Sequence, residues 1–128
     1  MAYYFTKTLT GSMQEVDEKV RAALKEKGFG VLTEIDVTAT FKKKIDKEIY
    51  PYRILGACNP NFAFDAIHAE DKIGVMLPCN VILQEKEAGT VEVSAVDPMS
   101  SMQAVENPNL GNIATEVQSM LKTVIDTL

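Results

Sequence analysis

Polar and apolar positions alternate along several segments of the chain with the two-residue period of β-strands. The segments predicted as strands are residues 2–9, 30–38, 52–57, 73–83 and 90–96. In the second of them, Val31, Thr33 and Ile35 fall on one face, which predicts a half-buried strand. The fourth is almost entirely apolar, as is typical of a strand covered on both faces, but Pro78 must bend it or place it at an edge.

Other segments repeat apolar residues every three to four positions and carry helix end signals. The best marked begins with the capping box Ser12–Glu15 and ends at Gly28, where a left-handed residue is expected. Asn59 and Pro60 are favoured at a helix N-cap and first turn, so a helix is predicted from there to about residue 70. The remaining predicted helices cover residues 41–49, 97–105 and 110–128.

The order of these elements is β-α-β, a short helix, β-α-β-β and a final helix. Strands that alternate with helices and end in an antiparallel hairpin predict an α/β (α+β) protein with one mixed sheet of about five strands. The helices are expected to pack mainly on one face, which gives a two-layer sandwich. Neither a linker nor an internal repeat divides the sequence, so residues 1–128 are predicted to form a single domain.

Composition restricts the class of protein. Hydrophobic residues make up 46% and charged residues 24% of the chain, values ordinary for a globular protein. The longest apolar run is far shorter than the roughly 20 residues of a membrane span, and the net charge of −5 argues against a nucleic-acid binder. The N-terminal residues lack a secretory pattern and there are only two cysteines, so we expect a cytoplasmic protein with free thiols.

The charge is unevenly distributed. Residues 1–53 hold ten basic and eight acidic side chains, a net +2, whereas residues 54–128 hold three basic and ten acidic ones, a net −7. The basic residues concentrate between Lys42 and Lys47, a run typical of a solvated helix face, with an anion site as the alternative. We expect a two-fold homodimer in which this basic stretch meets acidic surface of the partner.

The candidate chemistry lies in two similar fragments. Cys58 precedes the helix predicted to be capped by Asn59, where backbone N–H groups and the helix dipole favour an anion and could lower the pKa of the thiol. Cys79 follows Pro78 at the expected bend and is itself followed by Asn80. Neighbouring strands could bring the two sulfur atoms within about 10 Å without a disulfide. The alternative is that both cysteines are small buried hydrophobes.

Two further residues could contribute to a site. Arg53 lies inside an apolar strand, so it either lines a cleft as an anion ligand or reaches an edge. His68 is the only histidine, and its spacing from other polar residues forms no triad or metal-ligand set. Met99 and Met102 are predicted to be packing residues. Phosphate-loop, hydrolase-elbow and zinc-protease motifs are missing, so the sequence specifies no cofactor and no reaction.

Three segments resemble the signature of the family called domain of unknown function 302. They are Tyr52–Pro60 (YRILGACNP), Ile73–Val81 (IGVMLPCNV) and Val96–Pro98 (VDP). The resemblance extends over essentially the whole chain and implies a small prokaryotic α/β protein that tends to form homodimers. It implies no established activity, but it adds weight to the two cysteine fragments as a site.

Two functional hypotheses follow. In the first, Cys58, Asn59, Cys79, Asn80 and Arg53 form a site for a small or anionic ligand, a sulfur species or a soft metal such as Cu(I). In the second, the protein is a non-enzymatic dimeric module for ligand binding or regulation, and its cysteines only pack in the core.

Overall fold

In the computed structural model, which describes residues 2–128, five strands form one open sheet flanked by five α-helices. The strands are β1 (Tyr4–Thr10), β2 (Gly30–Asp36), β3 (Tyr52–Cys58), β4 (Cys79–Glu87) and β5 (Thr90–Val96). The helices are α1 (Met13–Glu26), α2 (Val37–Ile45), α3 (Pro60–Ala69), α4 (Pro98–Ser101) and α5 (Gly111–Asp126). Two 3-10 helices cover Asp71–Met76 and Pro108–Leu110. None of the helices in the described part of the chain is long and apolar enough to cross a bilayer.

The strand order is β1-β5-β4-β3-β2, and every neighbouring pair is antiparallel. The two-layer α/β architecture is therefore confirmed, but the sheet is antiparallel throughout and not mixed. A helix between two strands suggested parallel neighbours. Here α1 instead carries the chain from one edge strand, β1, to the other, β2, so the two strands that it connects never pair.

One face of the sheet is covered by helices α1 and α5, and the main core lies between them. Its fully buried side chains come from both layers and include Val20, Leu24, Leu55, Val81, Leu83, Val93, Leu121 and Ile125. The capping box of α1 forms as predicted, with the Ser12 hydroxyl accepting from the Glu15 N–H. Gly28 ends this helix region at a φ of 81°.

The opposite face of the sheet carries no helix and presents a row of isoleucines. Ile35, Ile54 and Ile82 are cross-strand neighbours on β2, β3 and β4. The row continues through Ser94 to Thr6, whose hydroxyl oxygens lie 2.9 Å apart in a hydrogen bond. This uncovered surface, the open face, therefore combines an apolar centre with a polar margin.

The alternation predicted for residues 30–38 is broken by a bulge. The register of β2 against β3 shifts between Val31 and Thr33, so Val31 shares the helix-covered face with Ala57, whereas Thr33 pairs with Gly56 on the open face. The prediction that Val31 and Thr33 share a face is wrong for this reason. The strand also ends at Asp36, whose carboxylate accepts from the Ala39 N–H and so begins α2 early.

The apolar run 73–83 is not one continuous strand. Its first part folds as the 3-10 helix Asp71–Met76, and β4 begins only at Cys79, after the cis bond between Leu77 and Pro78. Because Pro78 has no N–H, it cannot extend the ladder toward the apolar residues before it. Likewise, α4 ends at Ser101, well short of the predicted end at residue 105.

Candidate functional site

The end of β3 and the start of β4 meet beneath α3 and α5 and enclose a small apolar cavity. Its volume is about 40 Å³, and its walls are mainly aliphatic and aromatic side chains such as Phe29, Phe62 and Val117. Both cysteines line it. The cavity is thus the place in the fold where the two cysteine fragments of the sequence come together.

Strand pairing brings the two cysteines to the same end of the sheet. Ala57 and Cys79 are directly opposite in the β3–β4 register, and Cys58 is the next residue along β3. Both cysteines are free, Cys58 partly exposed and Cys79 only 8% exposed. They are close enough for charge on Cys58 to raise the pKa of Cys79. Both residues line the cavity, and the separation of their sulfur atoms within about 10 Å stays a prediction.

The electrostatics of the two thiols differ from the sequence-based expectation. Burial raises the pKa of the Cys58 thiol, so the prediction of a thiol activated by the helix dipole is wrong in direction. Burial, with a smaller contribution from charge on Cys58, raises the pKa of Cys79 to about 11. Desolvation therefore favours the protonated form of both thiols.

Asn59 lies at the cavity but does not cap α3. It occupies the N-cap position with extended backbone, yet its side chain makes no hydrogen bond to the first turn. Its Nδ2 instead donates to the backbone carbonyl oxygen of Lys27, 3.3 Å away. Among residues 2–128, the N–H groups of Asn61 and Phe62 therefore find no hydrogen-bond acceptor, and Pro60 has no N–H to offer.

Arg53 is held away from the cysteines by an ion-pair network. Its Nη1 lies 3.0 Å from Oδ2 of Asp17 and 3.9 Å from Oε1 of Glu34, and Arg21 contacts the same two carboxylates. The Asp17 residue is only 6% exposed, so the network neutralises a nearly buried charge between α1 and the sheet. Arg53 does not line the cavity, and its geometry is that of a structural ion pair.

Two other polar residues also lie outside the cavity. Asn80 follows Cys79 in β4, and its side chain is exposed on the open face because successive strand residues point to opposite sides. His68 is exposed on α3, where its ring stacks on Phe64 with centroids 4.2 Å apart. Its Nδ1 lies 2.9 Å from the Phe64 carbonyl oxygen. Of the five predicted site residues, the cavity brings together Cys58, Asn59 and Cys79.

Met102 is a lining residue that sequence reasoning assigned only to packing. It lies more than 20 residues from either cysteine in the sequence, so no motif spacing links it to them. Only the packing of α4 against α3 and α5 places it at the cavity. It also packs against a second small core cluster that contains Ala66 and Leu110. Across residues 2–128, no three His, Cys, Asp or Glu side chains are grouped as a metal site would require.

Gly56 provides the close packing beside the thiols. A Cβ at this position would lie 2.1 Å from the Thr33 Oγ1 and 2.7 Å from the Pro78 Cγ, so no larger residue fits without movement of one of them. Pro78 directly precedes Cys79. The small residue in β3 therefore determines where the start of β4, and with it the buried thiol, can lie.

Comparison with known proteins identifies relatives in sequence and structure. The profile of a family described as Domain of unknown function DUF302 matches residues 5–128. The crystal structure of an uncharacterized conserved DUF302 protein from Bacillus stearothermophilus is similar, with a TM-score of 0.89 and 28% identity. That similarity covers 98% of this chain and 98% of the other. No curated protein matches the sequence.

Proposed function

This chain belongs to the DUF302 family, and we propose that it binds a very small, soft ligand between the thiols of Cys58 and Cys79. The observation that supports the proposal is that both thiols line one small cavity. Across residues 2–128, neither thiol has a hydrogen-bond partner, so both are free to contact a ligand. The proposed setting is the cytoplasm, where thiols stay reduced.

The size of the cavity limits the ligand. A cavity of about 40 Å³ exceeds what one water molecule needs but is far below the roughly 150 Å³ of an apolar cavity that holds benzene. An organic substrate of ordinary size would have to force the walls apart. The volume favours a single soft ion or a small sulfur species such as hydrogen sulfide.

The polarity of the cavity indicates binding and not acid–base catalysis. Apart from the two thiols, no lining side chain titrates, and the only other strongly polar one is the amide of Asn59. A hard cation would lose its water ligands there without gaining oxygen ligands in return. Sulfur is a soft donor that binds soft ions well in an apolar environment.

The proposal is tested by thermal unfolding of the reduced protein with sodium sulfide, with Cu(I), with Mg²⁺ and with benzene. We expect one of the two soft probes to raise the unfolding midpoint, because a ligand that binds only the native state stabilises it. Mg²⁺ and benzene should have no effect. The double variant Cys58→Ala, Cys79→Ala should lose the shift, and an undiminished shift in that variant would refute a thiol-based site.

A second candidate function is a dimeric binding or regulatory module whose cysteines only pack. Its support is that Cys79 belongs to the main core cluster and that the open face is uncovered. Five strands about 4.8 Å apart and seven residues of about 3.4 Å each give this face sides of roughly 20–24 Å. The resulting area of about 400–580 Å² is smaller than the about 800 Å² on one side of a standard interface and fits the small end of specific interfaces.

A second copy of this chain is the occupant that we propose for the open face. The face carries one ion pair, Lys86 with Glu92 at 3.9 Å, and is close to neutral, so the contact itself adds little to the repulsion between two chains that each carry −5. The exposed lysines of α2 could then approach the acidic second half of the partner, as expected from the charge distribution. Light scattering at tens of micromolar tests this assembly, and a monomer mass would refute it.

A further inference from the structure

We infer that the ligand of the cavity is Cu(I), held by the sulfur atoms of Cys58, Cys79 and Met102. The inference rests on the proposed function and specifies its ligand and a third donor. The observation that supports it is that three sulfur-containing side chains line the same cavity of about 40 Å³. They come from β3, β4 and the end of α4. The remaining walls are almost entirely apolar.

The donor set matches the chemistry of a soft monovalent ion. Thiolate and thioether ligands select Cu(I), whereas carboxylates and carbonyls suit harder ions. Residues 2–128 hold no group of three His, Cys, Asp or Glu side chains placed for a metal, and the donors at this cavity are instead two thiols and a thioether. Cys79 is more than nine-tenths buried and faces the cavity without a hydrogen-bond partner. A bare ion fits the available volume.

The binding step is balanced without an oxidant or reductant. Cu(I) displaces the protons of the two thiols, two Cu–S bonds form, two protons pass to water, and copper remains monovalent. The resulting bis-thiolate centre carries one negative charge. The unpaired N–H groups of Asn61 and Phe62 at the start of α3 provide the positive end of a helix dipole beside it. Met102 adds a neutral third donor and no further charge.

The experiment is an anaerobic titration of the full, reduced chain with Cu(I) against the chelator bicinchoninate. We expect one Cu(I) per chain and a thiolate-to-copper charge-transfer absorption in the ultraviolet. Cys58→Ala and Cys79→Ala should each weaken binding by about 100-fold or more, and Met102→Leu by about 10-fold. Met99→Leu is the matched control, because this exposed methionine lies three residues earlier and outside the cavity.

The outcomes separate this inference from the proposed function. If Met102→Leu binds Cu(I) as tightly as Met99→Leu does, the three-sulfur site is wrong, while a two-thiol cavity site stands. If Cu(I) does not bind but sodium sulfide raises the unfolding midpoint, the metal is wrong and the cavity proposal survives. If neither probe acts, both fail. Circular dichroism of each variant shows whether it is folded, and Cys79→Val provides a second, better-filling variant at the buried position.

Discussion

The side-chain amide of Asn59 donates a hydrogen bond to the backbone carbonyl oxygen of Lys27, 3.3 Å away, and so joins the start of α3 to the end of α1. Gly28 makes room for this bond, since a Cβ there would lie 3.1 Å from Nδ2 of Asn59. The bond satisfies a carbonyl at the end of one helix and leaves the N–H groups of the other unpaired. Asn59 thus occupies the N-cap position of α3, but its side chain joins two helices at the cavity.

Asn59→Ala should lower the free energy of unfolding by about 1 kcal/mol through loss of this hydrogen bond. Asn59→Asp distinguishes the two roles of the residue, because a carboxylate is a good N-cap but cannot donate to the Lys27 carbonyl. We expect the aspartate variant to be about as destabilised as the alanine variant in urea unfolding. Full stability of Asn59→Asp would show that capping of α3 is the function of this side chain.

The two thiols should react slowly with the disulfide reagent DTNB at neutral pH. Burial raises both pKa values, so the reactive thiolate is scarce, and the buried Cys79 should remain silent until the protein unfolds. Cys58, which is partly exposed, should react first, with a rate that rises with pH beyond 9. Rates measured on Cys58→Ala and Cys79→Ala assign each phase. A rate for Cys58 that levels off below pH 7 would restore the dipole-activated thiolate.

Cys79 should make the protein less stable in alkaline solution. Its pKa is raised from 9.0 to about 11 in the folded protein, so between these values the unfolded chain loses a proton that the native state retains. Stability from this group is therefore intact below pH 9 and is lost as the pH rises toward 11, by up to about 2–3 kcal/mol.

Cys79→Ala is the comparison for this pH dependence, because tyrosine and lysine side chains titrate in the same range in both proteins. The free energy of unfolding of the wild type should fall more steeply above pH 9 than that of the variant. Parallel curves from pH 8 to 11 would show that Cys79 ionises equally in both states.

Asp17→Ala should be strongly destabilising, by about 2 kcal/mol or more, because it leaves Arg53 and Arg21 with only the more exposed carboxylate of Glu34. Glu48→Ala provides the control, since Glu48 pairs with Lys42 but its side chain is 82% exposed. That variant should change the unfolding free energy by less than about 0.5 kcal/mol in the same urea experiment. Equal losses of unfolding free energy in the two variants would show that burial of the Asp17 ion pair contributes nothing to stability.

Ile82→Lys should convert the proposed homodimer to monomers. The substitution places a charge on the central strand of the open face, next to Ile54, where the partner's open face would bury it. Val75→Lys is the control, because Val75 is 83% exposed in the 3-10 helix before β4 and lies off the sheet. Light scattering should give a dimer mass for the control and a monomer mass for Ile82→Lys. Dimers in both would place the interface elsewhere.

Features with local causes could be predicted from the sequence. The capping box of α1, the stop at Gly28 and the start of α3 at Pro60 all depend on residues within a few positions of one another. The two-layer class followed from the order of the elements. The resemblance of the segments around Cys58 and Cys79 to the DUF302 signature also identified the family correctly.

Features with distant causes could not be predicted. The partner of Arg53 is Asp17, 36 positions earlier, and no spacing rule relates the two. The bulge after Val31 belongs to the pairing with β3, where Thr33 lies over Gly56. The side chain of Asn59 donates to the Lys27 carbonyl instead of accepting from the first turn of α3, because the end of α1 lies within reach only in the folded chain.

The contact of Gly56 with both Thr33 and Pro78 has a consequence for how this protein can diversify. These three positions occupy one space, so they must change together: a side chain at 56 requires a smaller residue at 33 and the loss of the proline ring at 78. Variants that change only Gly56 should fail to accumulate as folded protein. Variants that also change Thr33 and Pro78 to make room could still fold. Among relatives, we expect these three sites to covary and the position of the neighbouring thiol to change with them.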